Sequence, residues 1–361
     1  MNNLVKLPFY AKWTVLLVGI YVLISMLSIA QSVILPLIYS GIIAILLSPV
    51  VSFLESKKVN RAAAVGLVLF FSLILIVVLV VFFVSQLNVL IDAWPLLSAK
   101  FEASIDQFVA WASENFHTRP KKINALLLQA KKDIFTSSQI GVGTTMMAVG
   151  NILATFLLTP VYIVMFLYYK PHLVRFVHKL FGGDNDGEIS LVLSQIKSII
   201  KNYLVGLSIE IVIVAVMNSV GLIILGIPYA ILLGSLGALL NLIPYVGGFI
   251  AVIIFMIIAM ITKTPIYILN VFIMYLFIQF IDNNLLVPRI VGSKVKLNAF
   301  VSILAVISGA ALWGVPGMFL SIPLAAVIKL ISEHIKGLKP LAYLLGDSMP
   351  PLFVLKKKQK S

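Results

Sequence analysis

Two apolar segments, Tyr229–Thr262 and Leu297–Ile328, limit what this chain can fold into. Neither carries a charge, and each exceeds 30 residues. Each is interrupted near its middle, by Asn241-Leu-Ile-Pro244-Tyr245-Val-Gly247-Gly248 in the first and by Trp313-Gly314-Val-Pro316-Gly317 in the second. A bilayer core takes roughly 20 helical residues, so each segment is too long for one span and each half, of about 15, too short. Two short arms joined at a Pro/Gly tip fit instead: a re-entrant hairpin that enters and leaves on one side. A broken helix frees backbone N–H and C=O groups, which are tolerated at that depth only when packed in protein or lining a wet cavity. Interrupted apolar segments in corresponding positions point to a transporter binding site.

The rest of the chain reads the same way. It is 61% hydrophobic and 11% charged, a balance that excludes a soluble domain of this length and indicates an all-α polytopic membrane protein. The net charge of +14 sits mostly in loops between apolar runs. Topology signals and attraction to anionic lipid explain it without a nucleic-acid partner. The absence of cysteine excludes disulfides, thiol catalysis and cysteine-ligated zinc.

In order, residues 1–91 supply three spans: two within the uncharged run Trp13–Leu54, then Ala62–Ile91 after the basic loop Glu55–Arg61. Ser28-Ile-Ala30 resembles a signal-peptidase site, but the long run before it and the span after it indicate a retained helix. Residues 92–140 read as two amphipathic helices on the outer surface, with stripes at Leu97, Phe101, Ile105 and Phe108 and at Ile123, Leu127 and Ile134. Residues 141–202 hold a fourth span, Gly141–Tyr169, and a polar cytoplasmic linker, Lys170–Lys201, with an amphipathic helix around Ile189, Leu193, Ile196 and Ile200. There Asp184-Asn-Asp186-Gly187 imitates the start of a calcium loop, but Gln195 stands where the loop needs glutamate, so a turn is expected. Residues 203–336 form the core, in which span plus hairpin is followed by span plus hairpin, inverted, and 337–361 form a basic tail.

The expected fold is therefore six full spans plus two re-entrant hairpins. With both termini in the cytoplasm, Glu55–Arg61, Lys170–Lys201, Pro288–Lys296 and the tail all lie inside, as the positive-inside rule asks. Reading each broken segment as a single span would put Arg289, Lys294 and Lys296 outside. Basic residues such as Lys100, Arg119 and Lys121 in the external stretch run against the rule, though acidic residues offset them.

Three stretches also resemble a known family. Asn241–Gly248, Ile281-Asp-Asn-Asn-Leu-Leu-Val-Pro-Arg-Ile-Val-Gly292 and Trp313–Leu324, in this order, are similar to the signatures of the autoinducer-2 exporters, also called PerM-like permeases. The resemblance covers nearly the whole chain. It implies inner-membrane transport, by export of a small polar molecule or by sodium/proton exchange, and assembly as a homo-oligomer. It does not name a substrate.

The candidate solute-binding residues are Asn241, Pro244, Tyr245, Gly247 and Gly248 at the first tip and Gly314, Pro316 and Gly317 at the second. Asp282 and Asn283 close the sixth span. Helical arms beginning after each tip would aim free N–H groups at an anionic or oxygen-rich solute. Glu210, an acid inside the fifth span, and Asp282 are the candidates for proton or sodium coupling, since intramembrane acids are expensive to keep. The competing reading makes Glu210 an interfacial residue reaching Lys201 or water, and Asp282 an ion-pair partner of Arg289. Glu210, with no cation within one turn, is the better proton carrier of the two. The histidines make no metal spacing, and no HExxH, GxSxG or Walker loop is present, so neither catalysis nor a cofactor is expected. Transport without an ATP site must be passive or gradient-driven. Lipid, a small polar solute and H⁺ or Na⁺ are the expected partners.

The topology is testable because the chain has no native cysteine. Lys294→Cys should react with an impermeant thiol reagent only in opened cells. Labelling from outside intact cells would overturn the two-hairpin arrangement.

Overall fold

The computed structural model describes residues 8–116, 158–181, 186–244, 246–264, 266–291 and 297–347. Nearly all of them are helical; the only β-pairing among them is one isolated bridge, Leu297 to Gly346. The helices are α1 (Phe9–Ile29), α2 (Gln31–Ser56), α3 (Arg61–Phe116), α4 (158–181), α5 (Asp186–Ile224), α6 (Ala230–Leu240), α7 (Val246–Thr262), α8 (Ile266–Ile281), α9 (Ala299–His334) and α10 (Lys339–Leu345). A π-helical segment, Asp282–Val291, continues α8. Among the described residues six stretches are long and apolar enough to cross a membrane: α1, α2, the first part of α3, α5, α8 with its π extension, and α9. α1 has no buried residue, and apolar side chains cover its surface, as a helix facing lipid requires.

Two amphipathic readings change. Residues 92–116 do not form a separate surface helix; they continue the third span inside the 56-residue α3. The only breaker available is Pro95, and one proline removes one ladder bond without ending a helix that long. The stretch 117–139 lies outside the described residues, as do 141–157 of the expected fourth span. Helix α4 likewise runs through Lys170 to residue 181, and α5 starts at Asp186 and crosses residue 203 unbroken. Of the linker expected between Lys170 and Lys201, residues 170–181 and 186–201 are helical, and 182–185 lie outside the described residues.

Three apolar clusters hold the bundle. Ala44 and Val51 of α2, Ala64, Val65 and Val68 of α3 and Ile163 and Leu167 of α4 form the first. Ser40 Oγ donates to Thr159 O and Lys170 Nζ to Ser48 Oγ, so α2 and α4 run in the same direction, while α3 starts beside the C-terminal end of α2 and Leu167 of α4. The second cluster joins Ile42, Tyr203, Leu204, Leu320 and Ala326, of α2, α5 and α9. The third joins α5, α6, α7 and α8 around Phe255. Helix α5 belongs to two clusters and therefore holds the two halves together.

Both interrupted segments are broken where the sequence indicates. The first divides at 241–244 into α6, of 11 residues, and α7, of 17. At 1.5 Å per residue α6 reaches roughly 16 Å, about half of a hydrocarbon core. The second breaks inside α9, at Trp313 (φ −138°) and Gly314 (φ 62°, ψ −142°), a backbone state that only glycine adopts without strain. The chain reverses there. The backbones of Gly309 and Gly317 touch, so a Cβ on either would strike the other's carbonyl. In one continuous helix those residues would stand roughly 12 Å apart.

This contact generates a stability test. Gly317→Leu should lower the melting temperature of the detergent-solubilised protein by several degrees, since forced overpacking costs about 1–3 kcal/mol. Gly66→Leu, where a Cβ meets nothing within 4 Å, is the control. Equal midpoints for the two variants would show that the arms do not rely on this approach.

Candidate functional site

The site begins with the buried face of α5. Tyr203, Gly206, Glu210, Val214, Asn218 and Leu222 recur every three or four residues and point into the bundle. Glu210 is 7% exposed, and among the described residues it forms no ion pair with Lys201. Asn218, two turns further on, is 1% exposed, and its Oδ1 has no hydrogen-bond partner.

Against this face lies the π-helical segment. Pro288 has no N–H, and in an α-helix its ring would collide with the carbonyl four residues back; the wider π turn relieves this. Asn284 Nδ2 donates to Phe280 O at 2.9 Å and so supports the transition from α8. A Cβ at Gly206 would lie 2.6 Å from Ile290 O, so the α5 backbone meets this segment directly. Asp282 opens the segment and is 1% exposed.

The first tip completes the arrangement. Asn241 Nδ2 donates to Asp282 Oδ2 at 3.0 Å, while Asp282 Oδ1 is buried without a partner. A Cβ on Gly248 would lie 2.7 Å from the Tyr275 hydroxyl and 3.8 Å from Asn241 Oδ1. The start of α7, the tip amide and the α8 phenol thus converge. Glu210 and Asp282 are near enough for their charges to interact, as are Tyr203 with Glu210 and Tyr275 with Asp282. Among the described residues no lysine or arginine forms an ion pair with either acid. Arg289 is exposed, so the expected pair with Asp282 is absent: the π segment buries position 282 and turns 289 outward.

The structure therefore gathers Asn241, Gly248, Asp282 and Glu210, to which it adds Tyr203 and Tyr275, with Asn218 as a third addition two turns from Glu210 on the same buried face of α5. The three additions are missing from the sequence reading. Asn218, an amide in an uncharged span eight residues after Glu210, was the recoverable signal; a tyrosine in an apolar helix carries none. Asn283 is exposed and turned away, and Tyr245 lies outside the described residues. The second tip is docked elsewhere. Tyr39 of α2 donates to Pro316 O at 3.1 Å, and Trp313 Nε1 to Leu27 O of α1 at 3.1 Å. Gly314, Pro316 and Gly317 are thus fixed on α1 and α2, with α5 packed between α9 and the α6–α7 pair. At the α4–α5 turn His178 faces Asp186 and Ser190, each at 3.3 Å, but Asp186 and Ser190 are exposed and the group ties two helices together.

Two carboxylates repel one another in an apolar interior, and a positive species between them relieves the repulsion. The free oxygens of Asp282 and Asn218 are acceptors only, so the buried region suits a proton, a metal cation or a hydrogen-bond donor better than a bare anion.

A family model described as AI-2E family transporter matches residues 11–337. The chain is 26% identical to the putative transport protein YhhT of Escherichia coli K12, over 97% of this chain and 95% of that protein. It is 25% identical to the AI-2 transport protein TqsA of the same organism, over 92% and 95%. A 33% identical match to the putative transport protein YrrI of Bacillus subtilis covers 40% of this chain and 41% of that protein.

The buried hydrogen bond is testable by stability. Asn241→Leu leaves both Asp282 oxygens unbonded and should cost about 1–3 kcal/mol, read as a lower unfolding midpoint in detergent. Adding Asp282→Leu should recover most of the loss, because both partners are then apolar. A double variant no more stable than the single one would show that the bond is not the deciding interaction.

Proposed function

This chain belongs to the AI-2E transporter family, and on that premise we propose that it is a secondary transporter moving a small polar solute across the bacterial inner membrane by alternating access. Its termini lie in the cytoplasm. The α6–α7 pair and the folded α9 act as re-entrant hairpins of an inverted repeat, and α5 slides or tilts between them. The observation that carries the reading is the buried pair Glu210 and Asp282, held on separate elements with Asn241 between tip and span. A structural bundle gains nothing from two unpaired acids at that depth.

In this scheme Glu210 carries the proton. Asp282, with the amides of Asn241 and Asn218, binds the solute or ion. The same pair favours a second reading, cation/proton exchange, since cations satisfy carboxylates directly. The relative TqsA is named for AI-2 transport, so that molecule is the first solute to try.

Flux in proteoliposomes separates the readings. Uptake or release of AI-2 should respond to an imposed proton or sodium gradient, and Glu210→Gln should retain solute binding while losing the response to pH. Asp282→Asn should weaken binding itself by tenfold or more, as removal of a charge-assisted contact does. If Glu210→Gln transports with an unchanged pH profile, its proton role is wrong. If protons and sodium exchange with no added organic solute, the antiport reading replaces the first.

A further inference from the structure

A second polar feature lies apart from this site. The C-terminal end of α2, the start of α3 and the stretch 167–174 of α4 enclose a cavity of about 330 Å³, within the roughly 300–1,000 Å³ range of small-ligand sites. Ser48, Ser52, Glu55, Arg61 and Lys170 form its polar wall, and apolar side chains of α2 and α4 close the rest.

The donors here outnumber their partners. Arg61 Nη2 donates to Leu167 O at 2.6 Å, and Nη1 stands 3.5 Å from Glu55. Arg61 Nε is buried without any partner. Lys170 Nζ donates to Ser48 Oγ at 2.8 Å, and among the described residues no carboxylate lies within ion-pair distance of it. Lys197 on α5 adds its charge to those of Arg61 and Lys170, and Glu55 opposes all three. Burial above all, and after it these two cations, hold the Lys170 ammonium below its usual pKa, while Glu55 pulls the other way. Such a cavity calls for a ligand that is negative and accepts hydrogen bonds without donating them, which describes a phosphate ester.

Its position narrows the source. Tyr168 and Tyr169, on the residues just before Lys170, are about half exposed on the outer surface. Amphipathic rings of this kind sit at headgroup level. The rim continues into the lipid-facing apolar surface of Phe53, Leu67 and Phe70. A basic pocket between spans at that level is built as anionic headgroup sites are. We propose that the α2–α3–α4 cavity binds the phosphate of an anionic membrane phospholipid, held by Arg61 and Lys170, and so fixes the level of these three helices in the bilayer. This does not depend on what the protein transports.

The test uses the full chain, purified in a neutral detergent and heated with added lipid. Phosphatidylglycerol should raise the melting temperature, and phosphatidylcholine should raise it much less. Lys170→Gln, whose loss breaks only one bond to a serine, should abolish most of that difference, and Arg61→Gln should do the same if it folds. Lys263→Gln, an exposed cation elsewhere, should keep it. Native mass spectrometry should show one retained phosphatidylglycerol fewer on Lys170→Gln. Equal shifts for both lipids, or an unchanged shift in Lys170→Gln, would overturn the proposal. A full shift from inorganic phosphate alone would overturn the lipid assignment by showing a soluble phosphate site instead.

Discussion

The polar groups freed where an apolar helix breaks must be met by protein, and Asn241 meets Asp282 at the first break. Without a donor at that point the first tip would bring an unsatisfied polar turn against a buried acid. With it, the break in one element and the charge on another settle each other's cost. The neighbouring arrangements follow from this contact. Gly248 must lack a side chain because Tyr275 stands there, and Gly206 because the π segment presses on α5. The π segment must widen so that position 282 faces inward while Pro288 keeps its place.

The two tips solve one problem in different ways. The first ends in a side-chain hydrogen bond to a carboxylate on α8's extension. The second is held through its own backbone and indole, by Tyr39 and Trp313 against α2 and α1. Its arms close on each other through bare glycine backbone, with no side chain between them at Gly309 and Gly317. Sequence alone treats the tips as equivalents because each is a Pro/Gly interruption in an uncharged run. Chemically they are not: one presents polar groups to a buried acid pair, and the other is anchored to the flank of the bundle.

Class, breaks and acids were legible because each is a local property. Charge-free length gives the spans, Pro and Gly give the interruptions, and a carboxylate in an apolar run is conspicuous by its cost. What joins Glu210 to Asp282 was not legible, since 72 positions of chain and three helix reversals lie between them. Arg289 misled for a related reason: seven residues after Asp282 is two turns on an α-helix, the same face, but the π winding shifts it outward. The linkers at 92–116 and 170–201 were read as separate because their polarity changes, whereas helices α3, α4 and α5 continue across the change with only the amphipathic stripe replacing the lipid-facing surface. Polarity marks where a helix leaves the bilayer, and it does not mark where the helix ends.

That continuity has a mechanical consequence in α5. Its 39 residues contain no proline, and at 1.5 Å each they make a rod of roughly 58 Å. The segment from Asp186 to Ile200 and the face bearing Glu210 and Asn218 are one stiff body. With no proline between Asp186 and Glu210, a push or twist applied near Asp186 travels to Glu210 along a continuous hydrogen-bond ladder. The rod also serves as the shared wall between the cluster around Phe255 and the cluster around Leu320. Turning it about its own axis would roll Tyr203 and Glu210 together past Ile290, like teeth on a shaft, and would disturb both clusters in a single stroke.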